Sequence, residues 1–182
     1  HQVHSRPRHD RRFAGIRNTL ERASTWPRLF NAVSNSGIGK WFAGIAQDRR
    51  PPRVVKRSLL AQCKNQGFPS ALKADAVFFP DTFSIHYEPQ HVLAAIRVAS
   101  SLGLSSALSP HVCCGRPLIS RGFLDEARSQ ATRLVDALIP LAQAQRPIIF
   151  LEPGCWSAVI DDLPQLVPAA KRQAARQVAR AC

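Results

Sequence analysis

The sequence has no methionine and no apolar run long enough to cross a membrane. A chain without methionine does not start at its own initiation codon, and this one ends within a helical pattern, so we expect a fragment of a longer protein. No apolar segment approaches the roughly 18–20 residues of a transmembrane helix. The basic start also lacks the apolar stretch of a secretory signal. These absences argue against a secreted or membrane-spanning protein.

Acidic residues are scarce in the first third of the chain. Residues 1–57 hold 13 of the 25 Lys and Arg but only 3 of the 12 Asp and Glu, so most of the net charge of +13 lies there. A basic arm can bind nucleic acid through phosphate contacts, but this one lacks base-reading motifs. We therefore favour a solvated or docking surface and keep a basic nucleic-acid-binding module as an alternative.

Disulfide-framework and zinc-finger spacings are also missing. The five cysteines, Cys63, Cys113, Cys114, Cys155 and Cys182, are odd in number and widely spaced, which indicates a reducing compartment. The ligands of a tetrahedral zinc site usually have two to four residues between them, and adjacent cysteines suit such a site poorly. A disulfide-stapled secreted domain is therefore excluded, and a zinc site is disfavoured.

Hydrophobic patterning divides the chain into a helical arm and a region of alternating strands and helices. Residues 1–12 are polar and are predicted to be disordered. Helices are predicted over 13–23, 28–46, 90–102, 124–144 and 170–182, and strands over 76–79, 104–108 and 147–151. Pro140 should kink or shorten the fourth helix. Strand, helix, strand, helix, strand predicts an α/β fold with a parallel sheet.

The predicted sheet gathers three cysteines that are distant in sequence. The carboxyl ends of parallel strands share one edge, where such folds keep their sites. Cys113 and Cys114 follow the second predicted strand, and Cys155 follows the third. Cys155 precedes a predicted helix and Arg116 adjoins the pair, so we expect lowered thiol pKa values and thiolates at this edge. An iron–sulfur site is favoured, while zinc and inert buried thiols remain alternatives.

Other polar residues receive simpler interpretations. His86 and His111 are interpreted as loop histidines bonded to backbone rather than as ligands or proton carriers. Asp81 either faces a ligand or caps a helix. Glu152 is interpreted as a weak acid–base candidate. Trp156 is interpreted as a core or interface residue and Cys63 as a packing residue.

The stretch 113–122, Cys-Cys-Gly-Arg-Pro-Leu-Ile-Ser-Arg-Gly, resembles the Cys-Cys-Gly (CCG) cysteine-rich domain of iron–sulfur oxidoreductases. It is most similar to the C-terminal part of FAD-linked D-2-hydroxyacid dehydrogenases of the D-lactate, glycolate and D-2-hydroxyglutarate types. Stretches 79–89, 151–155 and 161–164 match the same subgroup, and the resemblance covers about residues 13–168. It implies a three-layer, Rossmann-like half-domain with a short parallel sheet after a helical basic arm. The implied division is a connector arm at 1–60, the first CCG repeat at 61–168, and at 169–182 a truncated helix leading to a missing second repeat.

The resemblance also implies a function. The parent protein would be an oxidoreductase in which FAD, held in an absent N-terminal domain, oxidises the D-2-hydroxy acid. Electrons would pass through [4Fe–4S] clusters to a quinone or cytochrome. This fragment would serve electron relay and docking of the flavin and ferredoxin-like domains, without catalytic residues or activity of its own. Nucleic acid is not an expected partner, and the expected location is cytoplasmic, peripheral at the inner membrane.

The chain departs from the full CCG pattern in two places. The family has a cysteine where this chain has residues 79–81, and a Cys-x-x-Cys pair where this chain has Cys155 alone. The implied ligand set is therefore incomplete, with Cys113, Cys114 and Cys155 as cofactor- and metal-binding candidates. A structural domain with a decayed cluster site is the main alternative.

Overall fold

A computed structural model describes residues 8–64 and 66–182 of the chain. It shows a mostly helical α/β protein with a small parallel sheet, as the pattern predicts. The Rossmann-like character of this half-domain stays a prediction. None of the helices within the described ranges has the length and apolarity to span a membrane.

The arm forms four short helices rather than the two predicted. They are α1 (Arg8–Ala14), α2 (Ile16–Ala23), α3 (Pro27–Asn35) and α4 (Gly37–Ala43). The predicted helix over 28–46 breaks at Ser36, whose backbone is extended and whose hydroxyl accepts a 3.0 Å bond from Gly39 N to cap α4. The predicted disorder of residues 1–12 is wrong where α1 begins; residues 1–7 lie outside the described residues.

The sheet has three parallel strands in the order β2-β1-β3. The strands are β1 (Ala76–Phe78), β2 (Ser106–Leu108) and β3 (Ile148–Ile149). Val77 pairs with Ala107 on one side and with Ile148 on the other, so β1 is the central strand. All three lie within the predicted strands.

Helices cover both faces of the sheet because successive strand residues point to opposite sides. On one face Phe78 packs with α5 (Leu59–Cys63) and α7 (Pro89–Ser101). On the other face Val77 and Phe79 pack with α9 (Leu124–Gln143) and α12 (Arg172–Arg180). The remaining segments are α6 (Thr82–His86), α8 (Arg116–Ser120), α10 (Pro153–Ser157), a π-helical stretch Ala158–Asp162, α11 (Leu163–Leu166) and a 3₁₀ turn Ala169–Lys171.

Pro140 does not shorten α9, and a kink at this residue stays a prediction. The helix continues to Gln143, one residue before its predicted end. Leu138 and Leu141, on either side of the proline, are buried in the core. Burial of this apolar stripe outweighs the loss of one backbone hydrogen bond.

The arm docks on the sheet domain through one of its sides. Leu20 and Val54 are buried and pack with Tyr87. The Ser24 hydroxyl lies 2.7 Å from His86 Nδ1, and Val55 N donates a 2.9 Å bond to the His86 carbonyl. Helix α2 and the segment at 54–55 are thereby tied to α6 and to Tyr87, which follows it.

The outer side of α3 and α4 carries apolar side chains that contact little of the described chain. Their exposed fractions run from 55% to 74%. We call this surface the arm face, and it consists of Trp26, Leu29, Val33, Ile38, Trp41 and Phe42. Exposed apolar side chains on neighbouring helices are typical of an interaction site.

Leu134→Ala tests the core on α9. Leu134 is fully buried, so we expect its truncation to lower the free energy of unfolding by about 2–5 kcal/mol. Leu124 lies on the same helix with 44% exposure, and Leu124→Ala should cost less than about 1 kcal/mol. Urea denaturation followed by circular dichroism measures both, and equal losses would contradict this core.

Candidate functional site

The loops that follow the two outer strands meet over the carboxyl end of the central strand. Cys114 follows β2 and Cys155 follows β3, and their Sγ atoms are 2.9 Å apart. Both residues are buried, with 7% and 8% of their surface exposed. The structure therefore brings together two cysteines 41 positions apart, at the edge where the sequence places them.

Cys155 is held by the start of α10. Glu152 caps this helix, and its carboxylate accepts a hydrogen bond from Cys155 N. The carboxylate folds over Gly154, where an added Cβ would lie 3.0 Å from Glu152 Oε2. A side chain at Gly154 would therefore push on the capping group that positions Cys155. Glu152 acts here as a cap, and its predicted acid–base role stays untested.

The Cys-Cys loop turns sharply into α8. Gly115 has φ +84°, a left-handed conformation that favours glycine, and its N–H donates a 3.4 Å bond to Cys113 Sγ. Gln130 of α9 donates a 2.8 Å bond from Nε2 to the Cys113 carbonyl, and Arg133 donates a 2.7 Å bond to Gln130 Oε1. This clamp holds the loop in place.

Sequence reasoning missed Gln130. It is 5% exposed and lies among Ala127, Ala131 and Leu134 on the buried stripe of α9. A polar residue within an apolar helical stripe is the signal that could have identified it, because buried polar groups require partners.

Asp81 completes the edge from the central strand. Its Oδ1 accepts hydrogen bonds of 2.8 Å from Phe83 N and 3.0 Å from Ser84 N, and the Ser84 hydroxyl donates to Oδ2. The capping interpretation of Asp81 is confirmed. Its negative charge also acts on the thiol of Cys155, whose pKa it raises.

The pKa values of the three thiols at this edge are raised rather than lowered, so the expectation of lowered pKa values is wrong. For Cys113, a hydrogen bond with Cys114 and burial raise the pKa. For Cys114, the bond with Cys113 lowers the pKa, but the bond to Cys155 and burial outweigh it. For Cys155, the bond with Cys114 lowers the pKa, but burial and the charges of Glu152 and Asp81 outweigh it.

Arg116 does not act on the thiols as expected. Its guanidinium lies 3.4 Å from Asp162 Oδ2, and this pair joins α8 to the end of the π-helical stretch. The Arg116 backbone, not its charge, favours the Cys114 thiolate by hydrogen bonding. The basic side chain next to the Cys-Cys pair thus has a structural partner.

The donor set does not fit a [4Fe–4S] cluster by itself. Such a cluster takes four thiolates, and this edge supplies three thiols. Two sulfurs on one tetrahedral metal with bonds of about 2.3 Å lie about 3.8 Å apart, well beyond the Cys114–Cys155 contact. Over residues 8–64 and 66–182, no three His, Cys, Asp or Glu side chains are placed to hold a metal ion.

His111 lies in the Cys-Cys loop, as predicted, whereas His86 and the other cysteines lie elsewhere. His86 belongs to α6 rather than to a loop, and its ring bonds the Ser24 hydroxyl rather than backbone, so that expectation is wrong. Its Nε2, like that of His111, is buried without a partner in the described part of the chain. Cys63 packs in the α5–α7 core as predicted, and burial raises the pKa of Cys182 to about 12.

A groove of about 510 Å³ opens beside the Cys-Cys loop, between the arm and α9. Cys113 lines it and is half-buried, unlike Cys114 and Cys155. The charged side chains on its walls are three arginines and two glutamates, namely Arg11, Arg17, Arg133, Glu21 and Glu126. We call the sheet edge with Cys113, Cys114 and Cys155 the thiol edge. Because Cys113 lines the groove, solvent reaches the thiol edge through it, past a net positive surface.

Comparisons with known proteins give two dehydrogenase relatives. Ninety-seven residues are 32% identical to one of the subunits of the anaerobic glycerol-3-phosphate dehydrogenase of Escherichia coli (strain K12), covering 52% of this chain and 24% of that protein. A 170-residue match, 25% identical, joins 85% of this chain to 17% of the D-2-hydroxyglutarate dehydrogenase of Pseudomonas putida (strain KT2440). The chain spans about a quarter or less of these relatives. No family model and no solved structure matches it.

His86→Gln tests the buried histidine. Burial lowers the pKa of His86 from 6.5, helped by Arg17 and opposed by Glu21, and the neighbouring His111 is lowered in the same direction. The unfolded chain therefore binds a proton before the folded chain does, so stability is full above about pH 6.5 and falls as the pH drops below it. Replacing His86 should flatten this fall.

Urea midpoints measured from about pH 7.5 to about pH 5.5 give the comparison, since this range spans an ordinary histidine pKa. His91 is the matched control, because its side chain is 62% exposed. His91→Gln should keep the wild-type pH slope, and a His86→Gln slope equal to wild type would refute the burial argument.

Proposed function

We propose that the chain is a region of an FAD-linked, iron–sulfur dehydrogenase that acts on a D-2-hydroxy acid. In this proposal the region docks neighbouring modules and lies on the electron path, while substrate oxidation takes place in a flavin domain. The observation that carries it is the match to a D-2-hydroxyglutarate dehydrogenase over 85% of the chain. A match of that extent takes in both the arm and the sheet domain.

The arm face supports the docking role. Its six apolar side chains include two tryptophans and a phenylalanine, residue types that are enriched at protein interfaces. The relatives are four or more times longer than the matched stretch, so they hold further chain that could cover such a surface. The parent protein's own domains are thus the proposed occupants.

The thiol edge supports the relay role in part. Cys113, Cys114 and Cys155 are sulfur donors of the kind that iron–sulfur clusters use, gathered at one sheet edge. They form an incomplete set, so their proposed role as ligands requires a further ligand from elsewhere in the parent protein. No electron-transfer step through them follows from the present geometry.

A structural domain with a decayed cluster site is the second candidate. The observations that favour it are the burial of Cys114 and Cys155 and the raised pKa values of all three thiols, without a metal-ready group in the described ranges. This candidate keeps the docking role and removes the relay. The two candidates differ in whether iron depends on these cysteines.

Anaerobic reconstitution of the parent protein with ferrous iron and sulfide separates the candidates. If the thiols are ligands, Cys155→Ser should lose about one cluster's iron, seen by metal analysis and EPR, while Cys63→Ser should keep it. Cys63 is the matched control because it is equally buried but packs in a different core. Unchanged iron in Cys155→Ser would establish the structural candidate.

Val33→Arg tests the docking role. Val33 lies on the arm face with 55% exposure, and a charge there should slow acceptor reduction by the parent enzyme at least about tenfold by disrupting an apolar contact. Flavin reduction by D-2-hydroxyglutarate or D-lactate should stay unchanged, because it precedes the relay. Stopped-flow absorbance follows both steps.

Val98→Arg is the matched control, since Val98 lies on α7 with 60% exposure, away from the arm face. It should leave both rates unchanged. Equal acceptor rates for the two variants would show that the arm face makes no functional contact.

A further inference from the structure

We propose that Cys114 and Cys155 are a reversible dithiol/disulfide couple, oxidised by a small anionic disulfide that enters through Cys113. This site would be a redox-sensitive modification site of the metal-free chain. It does not depend on the dehydrogenase role, because it rests on the thiol geometry of this chain alone.

The geometry places the two sulfurs at the point of bond formation. Their separation of 2.9 Å is closer than two ligands of one tetrahedral metal and about 0.9 Å longer than a disulfide bond. Each thiol sits on a loop fixed by its own hydrogen bonds, at Gln130 for one and Glu152 for the other. Closing the bond therefore needs a small shift and no rearrangement of the sheet.

Both thiols of the couple are too buried to meet an oxidant directly, and Cys113 provides the entrance. It lines the groove beside α9 and is the sequence neighbour of Cys114, which contacts Cys155. Cys113 therefore lies between the groove and the buried pair. The positive excess on the groove walls favours an anionic reagent over a cationic one.

The exchange balances in three steps. Cys113 reacts through its thiolate, which its raised pKa makes scarce, so this first step is slow. The Cys113 thiolate attacks the small disulfide, breaks its S–S bond and releases one reduced thiolate, which takes up the proton that Cys113 has lost. The Cys114 sulfur then displaces the second reduced thiol from Cys113, and the Cys114 proton leaves with that thiol. Finally the Cys155 sulfur attacks Cys114 and returns Cys113 to the thiol form, with the Cys155 proton passing to Cys113. Two protein thiols are oxidised, and one small disulfide is reduced to two thiols.

In the third step, the disulfide moves from Cys113–Cys114 to Cys114–Cys155 for a geometric reason. Adjacent residues have Cα atoms about 3.8 Å apart, shorter than the roughly 4.4–6.8 Å that disulfides prefer. A bond between Cys113 and Cys114 is therefore strained. Transfer to Cys155, which is free of this constraint, relieves the strain.

Oxidised glutathione tests the proposal on the metal-free chain. We expect loss of two protein thiols, no net glutathione adduct, and a Cys114–Cys155 cross-link in peptide mapping by mass spectrometry. Dithiothreitol should restore both thiols. Cys63→Ser should oxidise like wild type, whereas Cys155→Ser should stop as a glutathione adduct on Cys113 or a Cys113–Cys114 bond. Circular dichroism confirms that each variant is folded.

The entrance role has its own readout. Cys113→Ser should still form the cross-link, but at least about tenfold more slowly, because the remaining thiols are buried. Oxidised glutathione should react faster than the cationic disulfide cystamine, and Arg17→Gln should reduce that preference while Arg97→Gln, outside the groove, should not. A wild-type chain that gains only a Cys113 adduct, or that oxidises at equal rates with both reagents, would overturn the proposal.

Discussion

The contact between Cys114 and Cys155 depends on the strand order of the sheet. β1 lies between β2 and β3, so the loops after the two outer strands have to cross the end of the central strand to meet. Strands in a sheet are about 4.8 Å apart, so side chains from next-but-one strands touch only if both loops turn inward. The turn at Gly115 and the cap at Glu152 supply these inward turns. The thiol edge is thus a product of topology and two local devices.

Burial gives the thiol edge its chemical character. A sulfur removed from water favours its protonated form, and the neighbouring carboxylates at Asp81 and Glu152 act in the same direction at Cys155. These carboxylates are there because helix caps are needed where strands pass into helices. The same caps that position the loops therefore also disfavour the thiolate of Cys155.

The arm shows a similar division between packing and exposure. Its inner side is closed by Leu20, Val54 and the Ser24–His86 bond, whereas the arm face stays open. Burial of apolar surface is favourable by roughly 25 cal/mol per Å². Covering the three aromatic side chains of the arm face would therefore stabilise a complex. The distribution fits an arm that is anchored to one domain and presents its other side to a neighbouring one. The thiol edge and the arm face lie on different elements and can therefore be tested separately.

The sequence by itself determined the sheet, its parallel sense and the edge that gathers the cysteines, because alternation of strand and helix patterns has few solutions. The apolar spacing that includes Leu138 and Leu141 predicted α9 on both sides of Pro140. The burial of both leucines explains why the helix continues past the proline. Tertiary structure alone decided the direction of the thiol pKa shifts, because desolvation depends on packing. It also decided the pairing of Arg116 with Asp162, which lie 46 positions apart. The same holds for the hydrogen bond from Gln130 to the Cys113 carbonyl, 17 positions away. The break at Ser36, by contrast, comes from a local cap that outweighs the helical pattern.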